Sequence, residues 1–91
     1  MKIEFDSIKN QWNIENRQLG FNQAINLDWE NAHIIEDTRK DYPEPRFVAT
    51  AYLKQRLHII CFTPVTGGIR VISFRKANKR EIKFYEKITI K

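Results

Sequence analysis

Arginine is the residue type in this chain best placed to do chemistry. Arg46, Arg70 and Arg75 each start or end an apolar, strand-like run. A guanidinium is planar, always charged, and can donate two parallel hydrogen bonds to a phosphate. With Tyr85, a phenol able to give a proton or to stack on a base, this set suffices for one hydrolytic reaction, the cutting of RNA. RNA carries its own nucleophile, the 2′-hydroxyl. A catalyst has only to align it with the adjacent phosphate, stabilise charge on the phosphoryl oxygens and manage two protons. No cofactor is required. Lys76, Lys79 and Arg80 would then hold neighbouring phosphates, adding affinity without specificity.

Two constraints bear on this set. Arg70 and Arg75 are five residues apart, so an ideal strand points them to opposite faces. They share one site only if the strand bends, bulges or ends before Arg75. Tyr85 falls on the apolar stripe of its helix, so packing competes with chemistry for it. The segment from Glu36 to Arg46 is dense in charge for a loop. It reads either as a solvated loop with local ion pairs of little energy, or as a substrate-edge loop that supplies an acid–base carboxylate or stacks Tyr42 on a base.

Other chemistries lack their residues. His33 and His58 lie in strand-like runs without ligand spacing to Cys61, so no metal site is expected. No phosphate-cradling glycine loop, dinucleotide fingerprint or nucleophile elbow occurs. Cys61 is alone, sits in the apolar run Ile59 to Phe62, and reads as a buried thiol in a reducing cytoplasm. The first ten residues hold Glu4 and Asp6 and do not read as a signal peptide. No apolar run is long enough to span a bilayer.

Charge is unevenly distributed. Residues 1–45 carry five Lys/Arg against nine Asp/Glu, and residues 46–91 eleven against two, so −4 and +9 make the net +5. Within a single domain of 91 residues this predicts a dipolar surface whose basic side attracts a polyanion.

Patterning predicts the elements that position these groups. Lys2 to Phe5 reads as a strand, and Asp6 as the cap of a helix reaching about Arg17, with Ile8 and Trp12 on one face. Leu19-Gly20 would break it. A second helix is expected over Phe21 to Trp29, burying Phe21, Ala24, Ile25 and Trp29. Ala32 to Glu36 reads as a strand and residues 37–45, with Pro43 and Pro45, as a loop. Strands over Phe47 to Leu53, Leu57 to Pro64 and Ile69 to Arg75 would be joined by a Lys54-Gln55-Arg56 turn and a Thr66-Gly67-Gly68 turn. Asn78-Lys79-Arg80-Glu81 has capping-box spacing and opens a last helix, whose inner face is Ile82, Tyr85 and Ile88 or Thr89. The expected fold is α+β, order β-α-α-β-β-β-β-α. Its antiparallel sheet is packed by two N-terminal helices and one C-terminal helix.

A wider pattern joins these pieces. Phe5-Asp6, Lys9 and Asn13 open it. Glu36-Asp37, Arg39, Asp41-Tyr42, Glu44 and Arg46-Phe47 follow. Phe62-Thr63, Arg70-Val71-Ile72-Ser73, Arg75-Lys76-Ala77-Asn78, Glu81 and Tyr85-Glu86 close it. In order and spacing the chain resembles the BrnT family of toxins from Met1 to Glu86. The resemblance implies a RelE-like ribonuclease fold and RNA cleavage that halts translation. It also implies a ribbon-helix-helix antitoxin (BrnA-like), a toxin–antitoxin heterotetramer and autorepression. Two departures stand out. Arg17 occupies the position of the family's His between the first two helices, and Pro43 and Pro45 flank Glu44, where a Gly more often precedes the Glu.

Two other readings compete with an RNA-cutting enzyme. One is a binding module whose basic helix holds nucleic acid or an acidic partner without cutting. The other is a toxin whose Lys79, Arg80 and Lys83 face is covered by its antitoxin.

Overall fold

The computed structural model describes residues 1–89; Lys91, counted in the charge of the second half, lies outside them. The elements are β1 (Lys2–Phe5), α1 (Ser7–Arg17), two short 3₁₀ helices (Phe21–Asn26 and Trp29–Asn31), β2 (His33–Glu36), β3 (Phe47–Leu53), β4 (Arg56–Val65), β5 (Gly68–Lys76) and α2 (Lys79–Thr89). The five strands form one sheet in the order β1-β5-β4-β3-β2.

β2 to β5 are an antiparallel meander, as two tight turns and one longer loop require. The sheet as a whole is mixed and not antiparallel, because β1 lies parallel to β5, with Ile3 opposite Ile69 and Phe5 opposite Val71. A hairpin fixes the direction of its two strands. β1 has no hairpin partner, and its direction follows from how α1 and the 3₁₀ helices carry the chain across the sheet to β2. Gly68 permits the pairing, since a Cβ there would overlap the Lys2 carbonyl.

Asp6 caps α1 as expected, its carboxylate accepting from the Ile8 N–H at 2.9 Å. The helix ends at Gln18, which takes the left-handed conformation at φ 52°. Beyond β1 the edge of β5 is closed by α1. The buried Asn13 amide donates to the carbonyls of Leu19 and Phe74, both at 2.9 Å. The segment expected to be one helix over residues 21–29 is two 3₁₀ turns instead, and Ile25 is exposed. Gly20 and Leu27 are extended on either side, and seating Phe21, Ala24 and Leu27 in the core takes precedence over regular helix.

The inner face of the sheet, with Ala49, Ala51, Ile60, Phe62, Val71 and Phe74, packs under Leu19, Phe21, Ala24 and Leu27. Each fully buried side chain such as Phe21, Phe74 or Ile60 contributes about 1.5–3 kcal/mol. α2 lies on the opposite face, where Ala77, Ile82 and Tyr85 meet Tyr52, Leu57 and Ile59. The helices therefore divide between the two faces, and α2 covers only one end of the outer one.

Candidate functional site: an arginine-lined sheet face

β5 carries a bulge. Val71 stands opposite Phe62 and Ser73 opposite Cys61, so Ile72 is an extra residue. Val71 and Phe74 thus both enter the inner core although three residues apart. The residues outside this pair, Arg70 and Arg75, emerge from one face. Their β4 partners confirm it, since Thr63, Cys61 and Ile59 alternate with the inward Phe62 and Ile60 and face Arg70, Ser73 and Arg75 in turn. Four residues of β4 separate the two arginine positions, about 13 Å at roughly 3.3 Å per residue.

Two concavities flank these positions. At the β1 end a hollow of about 170 Å³ is lined by Asp6, Lys9, Tyr42, Glu44, Arg46, Thr63 and Arg70. Arg46 lies over the Tyr42 ring, 4.1 Å from guanidinium carbon to centroid. Arg70 meets Glu44 and Glu4, each at 3.3 Å. At the α2 end a groove of about 790 Å³ is floored by Ile35, Val48, Cys61 and Ser73 and walled by His33, Arg75, Arg80, Glu81 and Phe84. Arg75 donates two bonds of 2.8 Å to Glu81.

Arg46 and Arg70 thus share the hollow, while Arg75 and Arg80 share the groove next along the face. Lys79 is exposed on the first turn of α2. Lys76 stands opposite the inward His58 and lines a different hollow with Lys54 and Arg56. Tyr85 is buried, edge-on to Tyr52, and its hydroxyl donates to the Asn31 carbonyl at 2.7 Å. Burial pushes its phenol pKa up. Arg17 lies at the α1 border of this face, in a small hollow with Lys9, Ile72 and Ser73. It donates to Asn13 and to the Phe74 carbonyl and covers the Trp12 ring, so it joins α1 to β5.

The carboxylates around the face differ in how firmly they are held. Asp37 receives two hydrogen bonds from the Arg39 guanidinium and one from the Tyr42 hydroxyl, and the Arg39 bonds hold its pKa far below the usual range. Glu81 is held low, first by Arg75 and then by the Asn78 N–H. Glu4 is held low, first by Lys2 and then by Arg70. Cys61 is partly buried on the groove floor, and desolvation pushes its thiol pKa up, away from nucleophilic use. Among the described residues no group of three His, Cys, Asp or Glu gathers as metal ligands, and no helix is long and apolar enough to cross a membrane.

Sequence reasoning gave no site role to Phe84, to Lys9 or to Thr63, the last two named only within the family pattern, and reached Glu44 only as one of the carboxylates of the charged loop from Glu36 to Arg46. Phe84 carried a signal: it is an apolar residue among lysines beside the core stripe of α2. It is 55% exposed, with its ring edge on His33. Thr63 carried none, since only the sheet register places it beside Arg70.

The fold and this face define a small α+β protein with arginines set along one open side of a mixed sheet. A family model for the ribonuclease toxin BrnT of type II toxin–antitoxin systems matches residues 5–81, and the chain belongs to that family. Membership brings with it an RNA substrate and an antitoxin partner. Comparison with curated proteins and with solved structures gives no match.

Proposed function

We propose that this single-domain chain is a metal-independent, RelE-like endoribonuclease toxin that cuts RNA in the cytoplasm and so inhibits translation. The observation that carries this reading is the bulge at Ile72, which puts Arg70 and Arg75 on one open face with Arg46. Arg46 and Arg70 hold the scissile phosphate. Their charge builds the stabilisation of the phosphoryl oxygens into the folded state, before substrate arrives. Arg75 and Arg80, roughly 13 Å further along the sheet, hold a neighbouring stretch of backbone, with Lys79 close by on α2. Phe84 presents a ring to an unpaired base. The 2′-oxygen attacks phosphorus, the bond to the 5′-oxygen breaks, and the products end in a 2′,3′-cyclic phosphate and a 5′-hydroxyl.

The cognate antitoxin in this reading is a BrnA-like ribbon-helix-helix protein, assembled with the toxin as a heterotetramer. Incubation of purified toxin with single-stranded RNA and EDTA tests the chemistry. Fragments bearing cyclic phosphate ends are expected, and antitoxin in excess should suppress them. Intact RNA recovered from salt-sensitive complexes would instead favour a binding module that does not cut.

A further inference from the structure

Two carboxylates, Asp6 and Glu44, line the Arg46–Arg70 hollow, and they are held differently from each other and from the acids near by. Asp37 is saturated by Arg39 and Tyr42, and its side chain is 2% exposed. Asp6 accepts from the Ile8 N–H as the cap of α1. Glu4 is shared between Lys2 and Arg70. Glu81 is clamped by Arg75 at the far groove. Among the described residues Glu44 meets one partner, a single Arg70 nitrogen at 3.3 Å from both of its oxygens, and its side chain is 53% exposed. A contact of that length on an exposed group is easily exchanged for another.

Its mounting is nonetheless stiff. Pro43 and Pro45 fix the backbone on either side of Glu44. The loop ends are tied by the Asp37 N–H to the Arg46 carbonyl at 2.7 Å and by Arg46 lying on Tyr42. A carboxylate with open lone pairs is therefore held on a rigid loop, beside the two guanidiniums that would grip a phosphate.

We propose that Glu44 is the general base of the cleavage, taking the proton of the 2′-hydroxyl as its oxygen attacks the phosphate held by Arg46 and Arg70. This deepens the ribonuclease reading and rests on it. The phosphate displaces Glu44 from Arg70 and leaves the carboxylate beside the attacking oxygen. The O–H electron pair forms the new bond to phosphorus while the bond to the 5′-oxygen breaks. The departing oxygen collects a proton from water at the open mouth of the hollow, and Glu44 returns its own proton to solvent as product leaves. The other titratable or charged groups facing Glu44 are Arg70, Arg46 and Lys9 on the cationic side, with Asp6 and Tyr42 opposite.

The test compares full-length wild type, Glu44→Gln, Glu44→Asp and Asp41→Asn on one single-stranded RNA across pH, with circular dichroism to show equal folding. Asp41 is exposed on the same loop and controls for the lost charge. Glu44→Gln should lower kcat by about 10²–10⁴-fold, change KM little and lose the acid limb of the pH profile. Glu44→Asp should recover part of kcat, and Asp41→Asn should match wild type. A Glu44→Gln enzyme with wild-type kcat, or one that loses only KM and keeps the acid limb, would overturn the assignment while the ribonuclease stands. Wild-type protein that leaves the RNA intact would overturn the function itself, and the base with it.

Discussion

Arg75 and Glu81 are joined by two parallel hydrogen bonds of 2.8 Å, and the same Glu81 accepts the Asn78 N–H at 2.9 Å. One carboxylate thus completes the cap of α2 and sets the direction of a groove arginine. Glu81→Ala should destabilise the protein by about 0.5–2 kcal/mol through the lost cap, read as a lower urea midpoint. It should also weaken RNA binding, because Arg75 loses its bidentate hold. The Glu81 pKa is depressed in the folded state relative to its ordinary 4.5. Its contribution is therefore complete above about pH 4.5 and is lost as pH falls through the depressed value. An unchanged midpoint in the variant would mean that the cap does not stabilise α2.

Removal of the arginines should separate chemistry from folding. Arg46, Arg70 and Arg75 all leave from the solvent side of the sheet, and Arg70 makes only contacts of 3.3 Å to Glu4 and Glu44. Arg70→Ala should leave the melting temperature nearly unchanged and lower cleavage by about 10²–10³-fold, the cost of losing one preorganised donor. Arg46→Ala should act on the same step. Arg75→Ala should act mainly on affinity, with a reduced salt dependence of binding. Expression of each variant without antitoxin gives the cellular readout: growth arrest is lost in Arg70→Ala. Full arrest by both Arg70→Ala and Arg75→Ala at equal protein level would remove the proposed mechanism.

The capping signals were legible in the residues themselves. Asp6 caps α1, and Asn78 with Glu81 forms the reciprocal box, because a cap is a local interaction within four residues. The hairpin turns were legible for the same reason, with Gly67 at φ 80° taking the positive dihedral expected of it. The direction of β1 was not legible, since it depends on a pairing some sixty-six residues away. Nor was the bulge. An extra residue such as Ile72 looks like any strand residue, yet it alone decides whether Arg70 and Arg75 share a face. The sequence posed that question, and only the register answers it. The acidic first half was expected to lie apart from the basic second half. Instead Glu4 and Glu44 sit against Arg70, so the arginine face carries its own counter-charges.

His58 should make stability depend on pH near neutrality. It is buried on the inner face, edge-on to Phe74, and its Nδ1–H donates to the Arg56 carbonyl at 2.8 Å. Desolvation is the largest influence on it and lowers its pKa below the ordinary 6.5, with the Arg56 and Lys76 cations adding to the effect. As pH falls, the unfolded chain takes up this proton first. Stability should therefore decline as pH drops below about 6.5 and level off once the folded form is also protonated. Urea midpoints between pH 7.5 and pH 5 measure this, and His58→Gln should flatten the curve there. Equal slopes in the two proteins would place the dependence elsewhere.

Tyr85 and Phe84 are adjacent on α2 and should behave as opposites. The Tyr85 hydroxyl is committed to the Asn31 carbonyl and its ring to Tyr52, inside the packing of α2 on the sheet. Tyr85→Phe removes the donor from that part-buried carbonyl and should cost about 0.5–1.5 kcal/mol of stability. Cleavage by the folded fraction should be unchanged, since the phenol does not reach the groove. Phe84 is 55% exposed beside Arg80 at the groove wall. Phe84→Ala should leave stability nearly unaltered and weaken binding of single-stranded RNA by about 1–3 kcal/mol, the value of one stacked base. Duplex RNA, whose bases are already stacked, should bind both proteins alike. If Phe84→Ala instead kept full RNA affinity and lost affinity for the antitoxin, the ring would belong to the protein interface and the stacking role would be withdrawn.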